Sequence, residues 1–248
     1  MAATIASTRA ALAELRQRIE RASSSTRART ILPFGVAAVD SVLPGGGLAL
    51  GAVHELCEGG TDAWRAPLAT LFAAGILARI PGPVLWCLHS RDLFAPALAR
   101  VGLHPDRVIY CETWKDSEVL PAMEDGLRHR GFAGVVGELT RLPLTPSRRL
   151  QLAAEGSGVT ALVLRRSGAD RDEQNAAFSR WRVSPALSAN ADALSMGRAH
   201  WQVDLLRCRG AETHSWVLEA CDAKGCLAVP ASVGNRSRAA EQQKRATA

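Results

Sequence analysis

A glycine-containing turn is the stretch of this sequence whose residue types could bind a phosphate. An apolar run over Ala52–Cys57 precedes the turn, and a helical pattern over Trp64–Arg79 follows it. The residues that could contact a phosphate are Gly59, Gly60 and Thr61. Strand, glycine turn and helix N-terminus is the layout that presents backbone N–H groups to phosphates. A nucleotide-hydrolysing loop also needs a lysine for the β/γ oxygens, and this turn has none. The pattern predicts a degenerate phosphate loop with weak nucleotide binding at most.

Two further side chains of a nucleotide-hydrolysing site are missing from the positions that should carry them. The strand-end carboxylate that holds magnesium through water would stand at Gly137. Glu138 follows one residue later, and a shift of one residue along a strand reverses the face of a side chain. The base that activates water would be a glutamate shortly after Leu88, where the nearest acid is Asp92. We therefore predict no ATP hydrolysis, no catalytic residue, no metal site and no required cofactor.

Alternating short apolar runs and helical patterns are expected to position these residues. The predicted strands are Ala52–Cys57, Pro83–Leu88, Val108–Cys111, Ala133–Gly137 and Val159–Leu164. The predicted helices are Trp64–Arg79, Leu93–Val101, Ser117–Arg130 and Pro146–Gly156. Apolar strands that alternate with helices indicate an α/β fold with a mostly parallel sheet covered on both faces. Further runs read as antiparallel hairpin strands added to the sheet edge: Arg180–Ser184, Trp201–Arg207, Ser215–Ala220 and Cys226–Val229.

The composition favours one globular domain with two appended termini. With 47% hydrophobic residues, the 248-residue chain can bury a sizeable core. We predict an N-terminal helix and linker over residues 1–30, the α/β domain over 31–230, and a disordered basic tail over 231–248. The N-terminal helix is expected to pack on the core or to dock on a neighbouring subunit. The longest apolar run, Ala66 to Ala78, is too short to span a bilayer, so a cytoplasmic protein is expected.

Two other groups of reactive residues receive structural interpretations. The six cysteines contain no C-x-x-C pair, which argues against a zinc site and favours free thiols in a reducing cytoplasm. Glu55 and Glu58 flank the end of the first core strand and are interpreted as a solvated pair at a turn.

Three stretches of the chain resemble a known family. The run DSVLPGGGLALGAVHEL, Asp40 to Leu56, resembles the beginning of the RecA core. With the stretches Val135 to Arg166 and Trp201 to Gly210, it leads to identification of the chain as a member of the ImuA family, RecA-like accessory proteins of bacterial mutasomes. The resemblance covers roughly Leu32 to Val229. It implies a RecA-like core whose charged working parts have been replaced.

The resemblance also implies a function and a set of partners. We expect a non-catalytic adaptor in SOS-induced, error-prone translesion DNA synthesis. The implied partners are an inactive Y-family polymerase homologue, an error-prone replicative-type polymerase and RecA, together with single-stranded DNA. The C-terminal part from Arg198 is expected to dock a partner. Two alternatives stay open: a DNA-dependent ATPase with an atypical phosphate loop, and a cell-division inhibitor of the SOS response.

Arginines in the second half of the domain are the predicted contacts to DNA. A net charge of +6 favours an anionic partner, of which nucleic acid is the commonest. In the RecA fold, the loops after the fourth and fifth core strands face the DNA axis. Arginine with an interleaved tryptophan suits single-stranded DNA, because guanidinium groups bind phosphates and bases stack on the ring. The candidates are Arg141, Arg148, Arg149, Arg165, Arg166, Arg180 and Trp181. Alternatively, the arginines cap helices and stay solvated, and Trp181 lies in the core.

Overall fold

A computed structural model describes residues 29–59, 67–166, 173–186 and 197–230. Nearly all of the N-terminal segment 1–30 and the whole tail 231–248 lie outside these ranges, so the predictions for both termini stay predictions. Within the described ranges, no helix combines the length and the apolar character needed to cross a bilayer.

Within the described part of the chain, ten strands form two sheets. β1 (Ile31–Leu32) and β2 (Leu48–Ala49) make a small antiparallel pair. The other strands are β3 (Val53–Glu58), β4 (Val84–Leu88), β5 (Val108–Glu112), β6 (Gly134–Leu139), β7 (Thr160–Arg165), β8 (Ser179–Ala186), β9 (His200–Cys208) and β10 (His214–Glu219). The five core strands predicted from apolar runs are confirmed to within two residues at each end.

The eight-stranded sheet has the order β10-β9-β8-β3-β7-β6-β4-β5. All neighbouring pairs from β8 to β5 are parallel, and β9 and β10 extend the sheet with antiparallel pairs. The expectation of antiparallel C-terminal strands is confirmed for β9 and β10. It is wrong for β8 on its inner side, because β8 pairs in parallel with β3, placing Arg180 opposite Glu55. The predicted strand Cys226–Val229 is reduced to one bridge between Glu219 and Ala228.

Helices cover both faces of this sheet. The helices are α1 (Ala37–Asp40), α2 (Pro67–Ala78), α3 (Ala95–Arg100), α4 (Asp116–Arg128) and α5 (Leu144–Ser157). α2 and α3 pack on one face against a core that includes Trp86, Leu164 and Trp181. α4 and α5 cover the other face over a second core that includes Val135 and Val163. Strands buried from both sides explain the near-continuous apolar runs of the sequence.

The end of α5 shows how local sequence sets the boundaries of these elements. Gly158 follows the helix with a φ of +85°, a left-handed conformation that glycine adopts without steric cost, and its N–H donates to the carbonyl of Ala154 at 2.8 Å. β7 begins two residues later. Because β3, β4, β6 and β7 run parallel, their carboxyl ends lie along one edge of the sheet.

Candidate functional site

Charged side chains from three strands meet at this carboxyl edge. Glu138 is the penultimate residue of β6, Arg166 directly follows β7, and Asp92 lies in the loop after β4. These residues are far apart in the sequence and become neighbours because parallel strands end side by side. Ligands of open α/β sheets bind outside the carboxyl ends of the strands, so this edge is the candidate functional site.

A guanidinium group lies between two carboxylates at the edge. Arg166 donates from Nε to Oε2 of Glu138 at 2.7 Å. It also forms two parallel hydrogen bonds with Asp92, Nη1 to Oδ2 and Nη2 to Oδ1, each at 2.7 Å. Trp86 donates its Nε1–H to Oε1 of Glu138 at 2.8 Å. Both oxygens of the buried Glu138 carboxylate therefore have protein partners, and the planar fork of Arg166 is engaged on both sides.

The electrostatics of this cluster do not suit a metal ion. Burial raises the pKa of the Glu138 carboxyl above its ordinary value, and the adjacent Arg166 charge opposes that rise. Hydrogen bonding to Arg166 holds the pKa of Asp92 below its ordinary value. A magnesium ion would have to share these oxygens with a fixed guanidinium charge, which repels it. The residues at this edge therefore do not fit magnesium with a nucleoside triphosphate.

The position predicted for the missing metal carboxylate is closed by packing. A Cβ atom added at Gly137 would lie 2.0 Å from Sδ of Met123, inside the core under α4. Glu138 points to the opposite face, since it pairs in register with Leu164 on the α2 side. The predicted reversal of face between these neighbours is confirmed. A carboxylate at position 137 would require Met123 to move.

Only the first residue of the predicted phosphate loop lies in the described ranges. The N–H of Gly59 donates to the carbonyl of Val183 at 2.9 Å, so this amide continues the sheet hydrogen bonding towards β8. Glu58 accepts a hydrogen bond from the amide of Leu68 at the start of α2, at 2.9 Å. The Glu58 carboxylate thus accepts a hydrogen bond from a helix N-terminal amide of the kind that binds phosphate. Gly60 and Thr61 fall outside the described ranges, and their role stays a prediction.

A second buried ion cluster lies on the other face of the sheet. Arg165 donates from Nη1 to Oε1 of Glu55 at 2.7 Å, and Arg180 donates from Nε to Oε2 at 2.7 Å. Asn175 adds a hydrogen bond to Oε2 at 2.9 Å. The interpretation of Glu55 and Glu58 as a solvated pair is wrong, since both are buried. The apolar run around Glu55 was the signal for its burial, because a strand covered on both faces leaves no side chain solvated.

This burial contradicts three of the seven predicted DNA contacts. The side chains of Arg165 and Arg180 are only 4% and 8% exposed and are committed to Glu55. Trp181 is 1% exposed, packs against Phe34 and Phe72, and donates its indole N–H to Ser179 Oγ at 2.7 Å. A buried ring offers no face to a base, so the core interpretation of Trp181 is the one the structure supports.

The remaining four arginines lie on different surfaces. Arg166 belongs to the edge cluster, and Arg141 pairs with Glu173 at 3.2 Å. Arg149 reaches across to Glu124 of α4, and Arg148 is exposed on α5. Their contact with DNA stays a prediction, and the structure divides them between the carboxyl edge and the outer face of α4 and α5.

Comparisons with known proteins agree with this architecture. No model of a protein family matches the chain. Two curated proteins named Protein ImuA, from Caulobacter vibrioides strains NA1000 / CB15N and ATCC 19089 / CIP 103742 / CB 15, are each 38% identical over 214 residues. The alignments cover 81% of this chain and 88% of each relative. The crystal structure of the RadB recombinase superimposes with a TM-score of 0.57 at 16% identity, over 81% of this chain and 100% of that one. That likeness shows a RecA-like fold alone.

Proposed function

Because the chain belongs to the ImuA family and has a RecA-like fold, we propose that it acts in the bacterial DNA-damage response as a non-catalytic adaptor. Its place would be the mutasome, in the cytoplasm, during SOS-induced error-prone translesion synthesis. In this role the α/β domain supplies surfaces that hold partners together, and it performs no chemical step on a nucleotide.

The Arg166 bridge between Glu138 and Asp92 is the observation that carries the proposal. RecA-like ATPases need a carboxylate that is free to hold magnesium and a base that is free to activate water. Here the two acids nearest to those roles are joined to one guanidinium. The chain also lacks a lysine in the turn that follows Gly59. All of these features support loss of hydrolysis.

The proposed partners follow from the family. We propose that the chain binds an inactive Y-family polymerase homologue and works beside an error-prone replicative-type polymerase and RecA on single-stranded DNA. Co-purification of the full chain with the polymerase homologue, at stoichiometric amounts in gel filtration, tests this assignment. Retrieval of the cell-division GTPase in place of polymerase components would support the alternative role as a division inhibitor.

ATP turnover tests the non-catalytic assignment. Phosphate release is measured with the full chain, magnesium and ATP, in the presence and absence of single-stranded DNA. The expected rate is that of a blank without protein. Turnover of roughly one per minute, still far below the ordinary range of enzymes, would favour the DNA-dependent ATPase, provided that the Glu138→Gln variant abolishes it.

A further inference from the structure

A groove between α4 and α5 carries a group of arginines, of which one, Arg149, is a DNA contact predicted from the sequence. Its cavity has a volume of about 640 Å³, and three arginines, Arg128, Arg130 and Arg149, line it. Glu124 is the one acidic residue of the lining. This groove lies on the opposite face of the sheet from α2, away from the Arg166 cluster. The net positive charge of this groove is not used by the proposed adaptor role.

One carboxylate holds two of these arginines in place. Arg128 donates from Nη2 to Oε1 of Glu124 at 2.8 Å, and Arg149 lies 2.6 Å from Oε2 through its own Nη2. Hydrogen bonding to Arg128 holds the pKa of Glu124 below its ordinary value, so the carboxylate stays charged. The Glu124 carboxylate thereby fixes one guanidinium group on each side of it. Because these side chains are already ordered, ligand binding costs less conformational entropy.

Most guanidinium donors in the groove face outwards. The side chains of Arg128 and Arg149 are 67% and 65% exposed, although each is anchored at one nitrogen. Arg130 uses Nη2 on the carbonyl of Gly156 at 3.4 Å. A guanidinium group has five N–H donors in a planar fork that matches phosphate oxygens. Several donors of each arginine therefore stay available for an anion with more than one oxygen.

The lining favours a phosphodiester backbone over a protein. Leu152, at 69% exposure, is the one large apolar side chain of this lining that is strongly exposed. A protein interface needs a larger apolar centre with well-packed anchors. Nucleic-acid sites instead depend on clustered arginine charges along a groove. We propose that the α4–α5 groove binds the phosphate backbone of nucleic acid. The site goes beyond the proposed adaptor role and does not depend on the loss of ATPase chemistry.

Salt-dependent binding tests the groove. Fluorescence anisotropy of the full chain is measured with a labelled 30-nucleotide oligo(dT) and with a labelled 30-base-pair duplex, over a series of salt concentrations. For Arg128→Ala/Arg149→Ala, the slope of log K against log salt should fall by about 0.7 per arginine on the single strand and about 0.9 on the duplex. The two probes also show which form of nucleic acid the groove prefers.

Two matched variants separate the groove from net charge and from folding. Arg91→Ala/Arg100→Ala removes the same charge from exposed positions elsewhere and should leave the slope within experimental error. Arg128→Lys/Arg149→Lys keeps the charges and should retain the wild-type slope. The proposal is overturned if the groove alanine pair matches the Arg91/Arg100 pair. It is equally overturned if the lysine pair loses as much slope as the alanine pair. ATP turnover plays no part in this assay, so its outcome is independent of the adaptor proposal.

Discussion

Two buried glutamates, on opposite faces of one sheet, are neutralised by consecutive arginines. Glu55 of β3 pairs with Arg165, and Glu138 of β6 pairs with Arg166. The first cluster is closed around Glu55, because the side chains of Glu55, Arg165 and Arg180 are 8% exposed or less; Glu173, which also pairs with Arg165, is 15% exposed. The second opens through Asp92, 47% exposed, onto a cavity of about 540 Å³ beside α2 and α3. Two ion pairs of the same kind therefore have different consequences. The Glu55 pair stabilises the fold, and the Glu138 pair occupies the edge where a ligand would bind.

Removal of Glu55 should cause the largest loss of unfolding free energy. A small loss would contradict the structural role assigned to its cluster. The change Glu55→Ala removes the carboxylate shared by two buried guanidinium groups. Arg165 keeps a longer pair with Glu173 at 3.3 Å, and its Nε already has no partner among the described residues. Loss of one partner of a buried ion pair costs about 3–5 kcal/mol. Urea unfolding followed by circular dichroism measures this free energy. A loss below about 1 kcal/mol would show that the cluster is not structural.

The pH dependence of stability reports on the two ion clusters only after the contribution of the buried His54 has been measured. His54 is fully buried, and desolvation lowers its pKa from 6.5 to about 4. The folded state thus resists protonation that the unfolded chain accepts below pH 6.5. Stability should be unaffected by this group above pH 6.5 and fall by about 3 kcal/mol as the pH drops to 4. Unfolding curves of the wild type and of His54→Gln across this range measure the difference. Equal pH slopes for the two proteins would contradict the burial of a neutral imidazole.

Neutralising Glu138 should cost less than removing Glu55. In Glu138→Gln, Arg166 keeps both hydrogen bonds to Asp92, and burial already raises the pKa of Glu138 towards the neutral form. We expect a loss of about 1–3 kcal/mol in the urea unfolding free energy. Glu55→Gln is the matched control, since it makes the same chemical change in the closed cluster. A larger loss for Glu138→Gln than for Glu55→Gln would reverse the assignment of the two clusters.

The smallest effect is expected at the exposed end of the open cluster. Asp92→Asn should reduce the unfolding free energy by about 0.2–1 kcal/mol, because half-exposed ion pairs are screened by solvent. Glu112→Gln, which breaks the exposed pair with Arg91, serves as the comparison. Thermal unfolding at low and at high salt measures both. A loss at Asp92 that salt does not reduce would place this residue in the buried part of the cluster.

Local patterns were enough to predict the core strands and the order of helices and strands. The alternation of apolar runs and helical patterns placed β3 to β7 within two residues. The runs of β3, β4, β6 and β7 are buried from both sides, whereas the edge strand β5 is largely exposed. The absence of a lysine after Gly59 and of a carboxylate at Gly137 could also be read directly from the sequence. The face of Glu138 followed from the two-residue period of a strand.

Partners that are distant in sequence were beyond these patterns. Glu55 meets Arg165 and Arg180 across 110 and 125 residues, so the apolar run around it could indicate burial but not what neutralises it. The parallel pairing of β8 with β3 depends on where the chain crosses over, which short apolar runs do not encode. The sequence left two positions open for Trp181, a DNA contact suggested by the flanking arginines and a place in the core, and strand register decides for the core.

Magnesium-dependent nucleotide binding tests the central claim most directly. Isothermal titration calorimetry compares ATP with and without magnesium, for the wild type and for Glu138→Gln. If Arg166 holds the place of the metal, adding magnesium should not tighten the binding of ATP to either protein. Tighter binding in magnesium that Glu138→Gln abolishes would show that Glu138 grips the ion, and the adaptor account would be wrong.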